Sequence, residues 1–112
     1  MEMRDITTFA QLQERRFQVL DGGKNTSLER TYAQLAKLGE EYGELCEAVM
    51  AEAGHQRADK LAQHSHEKLA AEMADVVLVV FILAEKMGVD LPDALEKKIS
   101  VIHERFKDVI VN

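Results

Sequence analysis

Apolar residues recur at spacings of three and four along most of the chain, the period of a helix that buries one face. The clearest run is Leu28, Tyr32, Leu35, Leu38, Tyr42, Leu45, Cys46 and Val49. It predicts a long helix from Thr26 or Ser27 to near Gly54, with Thr26 and Glu29 at the spacing of a capping box. A preceding helix is expected from about Thr8 to Leu20. Thr8 and Gln11 would cap it, and Asp21-Gly22-Gly23 would stop it. A third runs from about Glu67 to Met87 and ends at Gly88, a residue suited to the position just past a helix C-terminus. A fourth begins near Pro92, capped by Asp90, and continues to about Asp108. Residues 54–66 are polar and read as a loop with room for one short helical turn. No stretch alternates as a strand should, and no internal repeat is found. The expectation is a single all-α domain over residues 1–112, four helices arranged like a bundle.

The third helix has an unusual pattern. Val77, Phe81 and Ala84 lie on one side, Val76, Val80 and Met87 on another, and Val79, Ile82 and Leu83 on a third. A helix that is apolar nearly all round must be enclosed nearly all round. One small four-helix chain cannot easily do that, so a homodimer at least is expected, with this helix near the interface.

Charge narrows the partners. The chain has a net charge of −6 and no block of Lys or Arg. A nucleic-acid partner would call for a basic stripe, and an anionic membrane for a similar surface, so neither is expected. An anionic ligand would need a cation between it and the protein. Cys46 is the single cysteine; it can form no internal disulfide and reads as a small core residue. The N-terminus carries Glu2 and Asp5 and no hydrophobic signal core. The apolar stretch from Val76 to Ala84 is far shorter than the ~20 residues of a spanning helix. A cytoplasmic protein is expected.

The acids carry the candidate chemistry. Glu72 and Asp75, three apart, directly precede the greasiest stretch and share a helix face with Val79 and Ile82. Carboxylates are rarely buried without a partner, and no Lys, Arg or His lies between Met73 and Ala84. On the second helix Glu41 and Glu44 are also three apart, at the margin of the apolar stripe beside Lys37, Leu45 and Ala48. If the two helices pack antiparallel, four carboxylates converge. Unpaired, they would repel and some would stay protonated; a divalent metal such as Mg²⁺ or Mn²⁺, which prefers hard oxygen ligands, removes the conflict. Acid pairs at this spacing are also common on solvated helix faces, and the pattern by itself leaves that reading open.

Glu41-Tyr42-Gly43-Glu44 followed by Glu72-Met73-Ala74-Asp75 resembles the paired acid motifs of the MazG-like all-α nucleoside triphosphate pyrophosphohydrolases. The flanking "LGEEYGELCEAV", "AEMADVVLVVFILAEKMGVDL" and "EKKISVIHERF" are similar as well, so the likeness covers about residues 28–107. It implies an all-α fold assembled as a dimer or a dimer of dimers. It also implies Mg²⁺-dependent cleavage (Mn²⁺ as a possible substitute) between the α and β phosphates of a nucleoside triphosphate, giving a monophosphate and pyrophosphate. Glu41, Glu44, Glu72 and Asp75 would be the metal ligands, with Glu41 or Glu44 as the base for the attacking water. Lys98 and Arg105 on the last helix match the charged positions that would bind phosphates. The Asn expected between them is absent, with Ile102 and His103 in that region, which leaves the sugar and base contacts undefined. Deoxynucleoside triphosphates are the favoured substrates by resemblance, in house-cleaning or pool control. Related enzymes that act on dUTP or on phosphoribosyl-ATP stand as alternatives, as does a helical interaction module without turnover.

Three further features invite a functional reading. Glu52-Ala53-Gly54-His55 has the spacing of a di-iron motif, but no second copy exists and Gly54 should end the helix before His55. His64 and His66 fall in the polar loop, where solvation is the ordinary state. Phe9, Phe17 and Tyr32 could stack on a base, and the first helix, with Arg15 and Arg16, could cover the site.

Overall fold

The computed structural model describes all 112 residues. It is all-α: α1 (Met3–Asp21), α2 (Ser27–Glu52), α3 (Ala58–Gln63), α4 (His66–Met87) and α5 (Leu91–Arg105). The polar loop contributes the fifth helix, the short α3, where a single turn was expected. No helix is long and apolar enough to cross a membrane.

Local chemistry sets the boundaries. At α2 the Thr26 hydroxyl accepts the Glu29 N–H and the Glu29 carboxylate accepts the Thr26 N–H, as the spacing predicts. The start of α1 differs. The Asp5 carboxylate accepts the Glu2 N–H at 2.7 Å, so the helix begins five residues before the expected Thr8. Thr8 instead sits inside the helix, and its hydroxyl donates to the Arg4 carbonyl. Ser65 caps α4 by accepting the Lys68 N–H, and Asp90 caps α5 by accepting the Asp93 N–H.

The body is three helices. α2 and α4 pack along most of their lengths, and α1 lies across the C-terminal half of α4. The pairing is antiparallel: Gln34 reaches Val79, Glu41 meets Glu72 and Asp75, and Glu52 meets His66. Gln34 is buried and donates its amide N–H to the Val79 carbonyl at 3.2 Å, so this polar group inside the seam is satisfied. Ala10, wholly buried, lets α1 come close to Phe81 and Ile82, with Ile6, Phe17, Leu91 and Leu95 packed around them. Lys86 is nearly buried between Glu14 and the Phe17 ring.

The fold is open. The radius of gyration is 17.6 Å, against about 13 Å for a closed globule of this length. Only Leu69, Val79, Phe81, Ile82 and Ala84 of α4 are buried, while Met73, Val77 and Met87 are exposed. The apolar girdle of this helix is thus half covered within one chain. Leu28, Tyr32, Leu35, Tyr42 and Val49 form an exposed stripe along α2, and Ile99, Ile102 and Phe106 another on α5. Cys46 is half-buried, not a core residue.

Gly88 ends α4 at φ 66°, a left-handed conformation that costs an L residue with a Cβ about 1 kcal/mol or more. Gly88→Ala should therefore lower the unfolding free energy by about 1 kcal/mol, the loss of chain entropy in the unfolded state offsetting part of the strain. Urea denaturation of the two proteins checks this; equal midpoints would mean that the turn relaxes freely.

Candidate metal centre

The acid pairs face each other across the α2–α4 seam. On α2, Arg30, Gln34, Lys37, Glu41, Glu44 and Ala48 follow a three-and-four spacing and form one stripe. On α4, Lys68, Glu72, Asp75, Val79, Ile82 and Lys86 do the same. Antiparallel packing sets the middle of one stripe against the middle of the other. Carboxylate oxygens of Glu41, Glu72 and Asp75 all lie within 4.8 Å of one another. Glu44 stands beside them, near enough to feel the charges of both Glu41 and Glu72.

Burial is uneven. Glu41 is buried at 6% exposure, Glu72 is half-buried, and Asp75 and Glu44 are exposed. Asp75 was expected to point into packed surroundings, but the seam has no third layer above this point and the residue meets solvent. Of the four acids only Glu41 has an ion pair: Lys37 Nζ is 3.1 Å from its Oε1, the i, i+4 arrangement that helices favour. Hydrogen bonding to Glu41 and the charge of Glu41 hold the Lys37 ammonium above its ordinary pKa. One ammonium does not balance four carboxylates. The negative charges of Glu41 and Glu72 push the Glu44 carboxyl above the usual carboxylate range. Glu41 Oε2 and Glu72 Oε2 are buried and have no hydrogen-bond partner, a costly state for an anion. Orphaned oxygens on converging acids fit a hard divalent cation in ligand type and number.

Lys98 and Arg105 are placed elsewhere. α5 follows Gly88, about 20 Å along α4 from Asp75, and it packs through Leu91 and Leu95 at that far end, against Ala10, Phe81 and Ile82. Both side chains are exposed on it. Within one chain they do not reach the acids. The Glu52–His55 spacing is not a site either: α2 ends at Glu52. Glu52 instead receives two histidines, His64 Nε2 on one oxygen and His66 Nδ1 on the other; His64 lies in the loop as expected, but His66 is the first residue of α4, and the two hydrogen bonds lower the Glu52 pKa. With the Lys60–Glu47 ion pair, this clamp ties α3 and its flanks to the end of α2. No sequence spacing signalled the clamp, because its partners are 12 and 14 residues apart and joined by loop. The Lys37 contact was legible as an i, i+4 pair.

The family model described as phosphoribosyl-ATP pyrophosphohydrolase matches residues 22–101, a segment that holds both acid pairs. The chain belongs to this family. It lies within the MazG-like all-α NTP pyrophosphatases, the group resembled by the acid motifs, and it carries a nucleotide pyrophosphohydrolase activity. No curated protein and no solved structure matches the chain.

Like-charge crowding makes a pH-dependent prediction. Below the ordinary Glu pKa of 4.5 the Glu44 carboxyl is protonated in both folded and unfolded chains, so its penalty is absent. The penalty grows as the pH rises from there through the raised native value. In metal-free buffer with EDTA, Glu44→Gln should melt at a higher temperature than the parent at pH 7, and the two should converge near pH 4. A lower melting temperature for the variant at pH 7 would contradict the crowding.

Proposed function

We propose that the chain is a Mg²⁺-dependent nucleoside triphosphate pyrophosphohydrolase that releases pyrophosphate and leaves a nucleoside monophosphate, with deoxynucleoside triphosphates the favoured substrates. Convergence of Glu41, Glu72 and Asp75 within 4.8 Å is the observation that carries it. Glu41, Glu44, Glu72 and Asp75 would hold Mg²⁺, with Mn²⁺ as a possible substitute. When bound, the metal supplies the positive charge that an acidic protein and a polyanionic substrate both lack.

The chain's own residues divide the remaining work. Glu41 is buried and paired with Lys37, so its position is fixed. Glu44 is exposed beside the buried acids, where a water can reach it, the placement a general base needs. Glu44 takes the proton of the attacking water as the water oxygen bonds to phosphorus. The bridge between the α and β phosphates breaks, and pyrophosphate leaves with the bridging electron pair. Phosphoribosyl-ATP is the second reading, favoured by the matched family model; the same site would remove pyrophosphate from it.

A second copy of the chain belongs to this reading. The exposed stripes on α2 and α5 and the half-covered α4 are faces that a homodimer, or a homotetramer of two such dimers, would cover. Lys98 and Arg105 serve the phosphates only if the partner brings its α5 across. Light scattering on the eluting protein should give twice the chain mass or four times it; a monomer at micromolar concentration would contradict the assembly.

The activity test is a panel of NTPs, dNTPs including dUTP, and phosphoribosyl-ATP, each with Mg²⁺ or with EDTA, the products separated by anion exchange. Monophosphate plus pyrophosphate, only with metal, is expected. Asp75→Ala should reduce the rate about 100-fold or more with its helical circular dichroism intact. Diphosphate plus orthophosphate, or undiminished turnover in EDTA, would overturn the mechanism. A rate confined to phosphoribosyl-ATP would establish the second reading.

A further inference from the structure

Two cavities flank the acids on the same α2–α4 seam, and they differ in kind. The α3-side cavity is about 280 Å³ and is bounded by Glu44, Glu72, Lys60, His64 and Lys68. The α1-side cavity is about 530 Å³ and is bounded by Phe17, Asn25, Arg30, Gln34 and Lys37, among others. Lys37 joins this cavity to the acids, since it lines the one and pairs with Glu41 of the other.

The state of the cations separates the two. In the larger cavity they are already engaged: Arg30 with Asp21, Lys37 with Glu41, and Lys86 with Glu14. An incoming anion would find no spare charge there. A neutral heteroaromatic ring would find the Phe17 side chain, apolar Leu20 and the Asn25 amide. It would also find Arg30 Nε, a buried donor with no partner, whose satisfaction would reward a ligand carbonyl or ring nitrogen. The larger volume falls in the range of about 300–1,000 Å³ that holds a whole small molecule, and the smaller falls just below it. In the smaller cavity Lys60 is taken up by Glu47, but Lys68 makes no ion pair and borders Glu72. It is the uncompensated cation next to the acids, suited to phosphate oxygens.

We infer that a nucleotide lies along the seam with its nucleoside in the α1-side cavity, against Phe17, Asn25 and Arg30, and its departing diphosphate in the α3-side cavity, against Lys68. The inference rests on the proposed hydrolysis and adds a direction to it. Gln34 is about 10 Å along α2 from Glu41, a reach that suits a sugar and base anchored by their α-phosphate at the acids. Specificity for the base then comes from the α1–α2 corner, and release of pyrophosphate from the α3 side.

The two products report on the two cavities separately. Binding of inorganic pyrophosphate, and of AMP, dAMP, dCMP, dGMP and dTMP, is measured by calorimetry with Mg²⁺ present. Asn25→Ala and Phe17→Leu should weaken the best-bound monophosphate about tenfold and leave pyrophosphate within about twofold. Lys68→Ala should do the reverse, and Lys68→Arg should restore pyrophosphate binding. Phe17→Leu keeps an apolar side chain against Ala10, Phe81 and Ile82, and Asn25 lies at the surface, so at least one variant retains the fold. A reversed pattern, or variants that weaken both products alike, would overturn the orientation. Loss of all turnover in the parent protein would instead remove the hydrolysis on which it rests, so the two failures are distinguishable.

Discussion

Mutual repulsion of carboxylates across the α2–α4 seam is the constraint around which the structure is arranged. Three acid oxygens come within 4.8 Å of one another on helices that cannot move apart without exposing Val79, Ile82 and Ala48. The packing thus holds the acids together against their own charge. Lys37 relieves part of the conflict and Glu44 takes up part of it through its raised pKa. The two orphaned oxygens of Glu41 and Glu72 show how much is left over. Under the proposed function a bound cation would relieve that strain, and folding of the seam would then be linked to cation binding.

The rest of the fold supports that seam. α1 braces the C-terminal half of α4 through Ala10, Phe17 and the Glu14–Lys86 pair. α3 braces the end of α2 through Glu47 and Glu52. The acids lie between the two braces, and the cavities on either side are the gaps between brace and seam. An open chain with exposed apolar stripes on α2 and α5 leaves the opposite faces free for another copy.

Much of this was legible in the sequence, for identifiable reasons. Helices α2 and α4 announce themselves by period, by the Thr26–Glu29 box and by Gly88. The acid pairs stand out because Glu72 and Asp75 sit where water should be scarce. Antiparallel packing then brings them to Glu41 and Glu44 without any further information. Other features were not legible. The start of α1 depends on Asp5 closing on Glu2, a weaker signal than the Thr8–Gln11 spacing that competed with it. Exposure of Asp75 and the separation of Lys98 and Arg105 from the acids depend on how many layers one chain builds. Periodicity gives a helix its apolar faces but not the molecule that covers them. The Glu52 clamp joins residues whose proximity is decided by a loop.

The most direct test of the account is the position of a cation. A crystal grown with Mn²⁺, with data collected for anomalous scattering, should show a strong peak among the carboxylates of Glu41, Glu44, Glu72 and Asp75. A map without a peak there, or with Mn²⁺ held only elsewhere on the chain, would contradict the central claim that these acids converge in order to bind a metal.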